Sequence, residues 1–85
     1  METRVAVISI ILENSTSINE VNKLLSDCSD YVVGRMGIPY KKRGLSIISI
    51  VIDSPQDVIS TLSGKLGRLD GVSTKTAYSK YVFND

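Results

Sequence analysis

V-A-V-I-S-I-I-L-E-N (residues 5–14) and L-S-I-I-S-I-V-I-D-S (residues 45–54) decide the fold, because they align with each other at an offset of 40. Ile8, Ser9 and Ile10 recur as Ile48, Ser49 and Ile50, and Glu13 recurs as Asp53. Each stretch is short, aliphatic and closed by polar residues, as a buried strand is. Each is followed by an apolar series at helical spacing: Ile18, Val21, Leu25 and Cys28 in the first case, Ile59, Leu62, Leu66 and Leu69 in the second. Steps of three and four place each series on one helical face. Two similar strand–helix units of this length point to a duplicated fold, and two repeats are too few for a solenoid.

A further strand closes each unit. Asp30 to Tyr40 reads as a strand ending in Pro39, which suits a sheet edge because proline cannot donate to a ladder. Val72 to Tyr78 is rich in β-formers and alternates. Lys41-Lys42-Arg43-Gly44 joins the second and third strands, with Gly44 free to take a positive φ. Ser15, Thr16 or Ser17 marks the start of the first helix. Ser54 and Pro55 are expected at the N-cap and first position of the second, which Asp70-Gly71 is expected to end. The order βαββαβ predicts an α+β, ferredoxin-like sandwich: a four-stranded antiparallel sheet with two helices on one face.

A sheet covered on one side should alternate apolar with polar residues, and these central strands do not. One row is Ala6, Ile8, Ile10, Leu12 with Ser46, Ile48, Ile50, Ile52; the other is Val5, Val7, Ser9, Ile11 with Leu45, Ile47, Ser49, Val51. The sequence leaves open which row meets the helices, but either choice leaves a mostly aliphatic face without cover. Water is a poor cover for it, so a homo-oligomer, dimer or tetramer, is expected. Its interface is placed on Val5, Val7, Ser9, Ile47, Ser49 and Val51.

Composition narrows the function. The 85 residues carry ten basic and nine acidic side chains, for a net charge of +1, which excludes a generally polycationic nucleic-acid binder. One cysteine and no histidine exclude a disulfide framework and leave almost nothing to hold a metal, so neither metal nor cofactor is expected. The run Val5–Leu12 is too short and too β-branched for a signal peptide, and no stretch approaches the roughly 20 apolar residues that span a bilayer. A cytoplasmic location is the expectation.

Few residues invite chemistry. No histidine can activate Cys28 or a serine, Cys28 falls on an apolar helical face, and no carboxylate pair has plausible acid–base spacing, so catalysis is not expected. Gly64-Lys65-Leu66-Gly67 lacks the spacing of a phosphate loop and sits at the wrong end of its helix. Arg43 to Ile50 fits the frame of an RNA-recognition strand, but Leu45, Ile47 and Ile50 stand where stacking rings are needed. Lys41, Lys42 and Arg43 could attract nucleic acid and form the rival functional reading; a solvated turn is the plainer one. The segment Asn14, Ser15, Thr16 lies just before a helix N-terminus, where backbone N–H groups are free. It is the expected effector site, with Arg35 and Lys41 as anion contacts.

V-G-R-M-G-I-P-Y (33–40), S-I-I-S-I-V-I-D (46–53), D-V-I-S-T-L-S-G-K-L-G (57–67) and D-G-V-S-T-K-T-A-Y-S (70–79) together resemble the iron-only hydrogenase system regulators. The resemblance covers nearly the whole chain, most specifically in L-S-G-K-L-G-x-L-x-G-V followed by K-T. It implies one ACT-like regulatory domain over residues 1–85, similar also to the C-terminal domain of the nickel-responsive regulator, with oligomers built through sheets. It also implies control of hydrogenase genes or maturation, and it brings no catalytic or ligand residues. The histidines of the nickel site have no counterpart here. The first strand leaves no room for an N-terminal DNA-reading arm, so transcriptional control is expected to run through a partner regulator protein or an oligomeric surface.

Overall fold

In the computed structural model, which describes residues 1–85, the two aligned stretches pair with each other. They lie in β1 (Glu2–Leu12) and β3 (Leu45–Ser54), antiparallel, with Ser9 opposite Ser49, Ile8 opposite Ile50 and Ile10 opposite Ile48. Because equivalent residues differ by 40, this register sets an approximate twofold axis between Ser9 and Ser49. β2 (Val32–Tyr40) flanks β3 and β4 (Val72–Asn84) flanks β1, so the order is β2-β3-β1-β4, antiparallel throughout. With α1 (Ile18–Asp27) and α2 (Gln56–Gly67) this is the expected ferredoxin-like arrangement.

Burial decides which row faces the helices. Ala6, Ile8, Ile10 and Leu12 of β1 and Ile48, Ile50 and Ile52 of β3 pack against Val21 and Leu25 of α1 and Ile59, Leu62 and Leu66 of α2. Each large aliphatic side chain removed from water here contributes about 1.5–3 kcal/mol. The other row of β1 and β3 is left without a helix over it.

Four boundaries differ from expectation. Ser54 does not cap α2: it is the last residue of β3, opposite Arg4 and fully buried, and its hydroxyl donates to the Pro55 carbonyl at 3.1 Å. Pro55 is extended (φ −56°, ψ 149°) and precedes the helix, its carbonyl accepting the N–H groups of Val58 and Ile59. α2 ends at Gly67 rather than at Asp70-Gly71; Gly71, at φ +71°, instead turns the chain into β4. β2 begins at Val32 because Ser29–Tyr31 forms a 3₁₀ turn.

The largest difference is β4, which runs six residues past Tyr78. A bulge lies where Tyr78 and Val82 oppose Ala6 and Arg4. The Ser79 hydroxyl serves the bulged backbone, accepting from the Tyr81 N–H at 3.1 Å and donating to the Tyr81 carbonyl at 2.8 Å. Beyond it, Val82–Asn84 pairs with Glu2–Arg4 as a two-stranded ribbon reaching past the end of β3. No helix is long and apolar enough to cross a membrane.

Candidate functional site

The uncovered sheet face is the most extensive candidate. All six expected interface residues lie on it: Val5, Val7 and Ser9 in β1, Ile47, Ser49 and Val51 in β3. The pairing register adds Met36, Ile38 and Tyr40 of β2, opposite Ser49, Ile47 and Leu45. Met36 is 58% exposed, Ile38 46% and Ile11 40%, whereas Ile8 and Ile50, one residue along their strands, are at 0%. Gly34, Gly37 and Pro39 interrupt the alternation of β2, so its contribution to this face is not visible in the sequence. The same interruptions blunt this edge against stray pairing.

The expected effector residues come together only in part. Asn14, Ser15 and Lys41 line a cleft of about 320 Å³ with Leu12, Ile18 and Pro39, at the corner where β1 passes into α1. Thr16 does not line it. Its N–H donates to Asn14 Oδ1 at 3.0 Å, so that oxygen serves its own loop. Arg35 lies in a neighbouring groove, and its guanidinium donates to Asn22 Oδ1 of α1 at 2.8 Å. This corner is also tied to the turn before β4: the Ser17 hydroxyl donates to the Asp70 carbonyl at 2.7 Å, and the Glu13 N–H donates to the Gly71 carbonyl at 2.8 Å. A Cβ on Gly71 would stand 2.7 Å from Asn14 Nδ2 and displace that amide, and the φ of +71° itself favours glycine.

A larger cleft of about 710 Å³ opens at the equivalent corner, where β3 passes into α2. Arg4, Gln56, Asp57, Ser60 and Thr61 line it, together with ribbon residues. No motif marks these residues in the sequence. The signal that could have located the corner is the internal repeat, which carries Glu13–Ser17 onto Asp53–Asp57.

Lys41, Lys42 and Arg43 form an exposed 3₁₀ turn between β2 and β3. Cys28 follows the last residue of α1, half-buried against the core. Burial raises its thiol pKa, Asp27 adds to the shift and Lys65 opposes it, so the thiol stays protonated near neutrality.

Residues 4–76 match the TM1266-like family, whose description reads "Iron-only hydrogenase system regulator, putative". The structure is similar to that of the uncharacterized protein TM1266 from Thermotoga maritima, with a TM-score of 0.89 and 34% sequence identity over 92% of this chain and 99% of that one. It also resembles part of a formyltetrahydrofolate deformylase from Pseudomonas putida KT2440 (TM-score 0.62, 13% identity, 86% of this chain and 28% of that one). A third similar structure is an unknown protein from Galdieria sulphuraria (TM-score 0.63, 14% identity, 93% of this chain and 46% of that one). These last two share the fold alone. No curated protein matches the chain.

Proposed function

Because the chain belongs to the TM1266-like family of iron-only hydrogenase system regulators, we propose that it works as a regulatory module rather than a catalyst. It assembles with copies of itself through the free face of its sheet and takes a small effector at the corner of Asn14, Ser15 and Lys41. The observation that carries this reading is the exposed row of Val7, Ile11, Met36 and Ile38, which lies back to back with the buried core row. Contiguous apolar surface of this kind is covered by a partner far more often than by water, and the partner that every copy encounters is another copy.

Arg35, which spans to Asn22 in the adjacent groove, is a second-tier anion contact, reachable if that hydrogen bond opens. Light scattering at micromolar concentration is expected to return a dimer or tetramer; a monomer throughout would remove the premise. A thermal-shift screen is expected to find an effector whose stabilisation disappears in Lys41→Ala, since a ligand stabilises the native state according to its occupancy.

Nucleic-acid binding through Lys41, Lys42 and Arg43 is the rival, supported by three adjacent exposed cations. It predicts steep salt dependence and loss of binding when the three are neutralised. The absence of a mobility shift with any DNA or RNA at low salt would end it.

A further inference from the structure

The ribbon of Glu2–Arg4 and Val82–Asn84 overhangs the start of α2, and it is this overhang that makes the second corner a cleft. Two of its groups lack hydrogen-bond partners. Arg4 is half-buried, makes no ion pair and no side-chain hydrogen bond, and holds its guanidinium carbon 5.8 Å from the centre of the Tyr78 ring. α2 begins after Pro55 with no side-chain cap, and because the Pro55 carbonyl takes the N–H groups of Val58 and Ile59, those of Gln56 and Asp57 are left open. A ring beneath a guanidinium holds the cation in place without using its N–H donors.

Those donors call for an oxyanion, but the same walls carry the carboxylates of Glu2 and Asp57. One guanidinium against two carboxylates disfavours a dianion such as phosphate. The matching charge pattern is a single carboxylate on a body whose remaining polar groups donate. We infer that this cleft binds a small monocarboxylate bearing hydroxyl or ammonium groups. The carboxylate lies on Arg4 and the opening N–H groups of α2, and the donors face Glu2, Asp57, Ser60 and Thr61. Glu2, Thr3 and Val82, which form the roof of this cleft, lie outside residues 4–76. The site goes beyond the regulatory reading and stands at the end of the sheet opposite Asn14 and Lys41, so either can fail without the other.

The test is an amide-resolved NMR titration of the full chain with glycerate and with 3-aminopropionate, against propionate, which has the carboxylate without donors, and inorganic phosphate. Millimolar affinity is the scale for ligands this small. Expected are shifts at Thr3, Arg4, Gln56 and Asp57 with glycerate or 3-aminopropionate, and binding at least about tenfold weaker for propionate and phosphate, as for one lost charge-assisted hydrogen bond. Arg4→Gln is expected to abolish the shifts and the exposed Ser60→Ala to weaken binding, while Lys23→Gln in α1 leaves it unchanged. The inference is overturned by silence at those four amides, by propionate or phosphate binding equally well, by full binding in Arg4→Gln, or by shifts confined to Asn14, Ser15 and Lys41. Should Arg4→Gln fail to fold, the wild-type titration and Ser60→Ala decide the matter.

Discussion

β1 and β3 present two aliphatic rows of closely similar composition, and only one of them is covered. Ile8, Ile10, Ile50 and Ile52 lie under α1 and α2, while Val7, Ile11, Ile47 and Val51, their immediate neighbours in sequence, face outward. Side-chain chemistry is nearly the same on both rows; what differs is what lies above them. The covered row accounts for why the chain folds, and the uncovered row for what the folded chain still has to bury. Under the proposed self-association the outward row is the surface that a second copy covers, completing a burial that the single chain leaves partial at Val5, Ile47 and Val51.

Substitutions sharpen this contrast, beginning with the covered row. Ile50→Ala is expected to cost about 2–5 kcal/mol, the range for truncating a sealed aliphatic side chain, measured by chemical denaturation. A loss below about 1 kcal/mol would mean that the two rows differ less than their burial indicates. Next in size is Gly71→Ala, at about 2 kcal/mol, because the residue has a positive φ and its new Cβ would press on the Asn14 amide. Gly44→Ala, with the same sign of φ and open space around it, should cost less. Ser17→Ala follows at about 1 kcal/mol, for the lost hydrogen bond to the Asp70 carbonyl. These two sites test whether the first corner is held to the β4 turn or merely lies beside it.

The smallest expected effect is that of pH on Cys28. Its folded-state thiol is raised, by burial first and Asp27 second, so the native state keeps this proton to higher pH than the unfolded chain does. The associated stability is present below the ordinary thiol range and is lost as pH rises through the folded value. Cys28→Ser should flatten that alkaline decline, followed as denaturation midpoint against pH, and alkylation of native Cys28 should lag behind that of the unfolded chain.

The two strand-to-helix corners teach a second difference. The repeat makes them equivalent, and both engage side chains locally, Asn14 Oδ1 and Ser17 Oγ at the first and Ser54 Oγ and the Gln56–Ser60 pair at the second, but only the second also holds a guanidinium, that of Arg4, without a hydrogen-bond partner. The ribbon accounts for the asymmetry, because only the second half has residues beyond its bulge to form a roof.

The central place of β1 and β3 could be read from the sequence, since the βαββαβ order puts the first and third strands in the middle of the sheet. Edge strand β2 was legible through Pro39, and the positive φ of Gly44 through its place after three basic residues. The far end of β4 was not. Ser79 and Lys80 break its alternation, and the bulge that accommodates them depends on a side-chain hydrogen bond visible only in three dimensions. The second cleft was hidden for a related reason: Arg4, Gln56 and Val82 are far apart along the chain, and only the sheet order β3-β1-β4 brings them to one place. Arg35 illustrates the converse, for its charge was evident but its strand parity turns it toward Asn22 and α1.

Sedimentation equilibrium on the wild-type chain and on Ile47→Lys tests the central claim most directly. The account predicts a dimer or tetramer of the 9.3 kDa chain and a shift to folded monomer in the variant, with association weakened by about thirtyfold or more, the scale of a charge placed in an apolar interface core. A wild-type monomer at every concentration, or an assembly indifferent to a lysine at position 47, would contradict it.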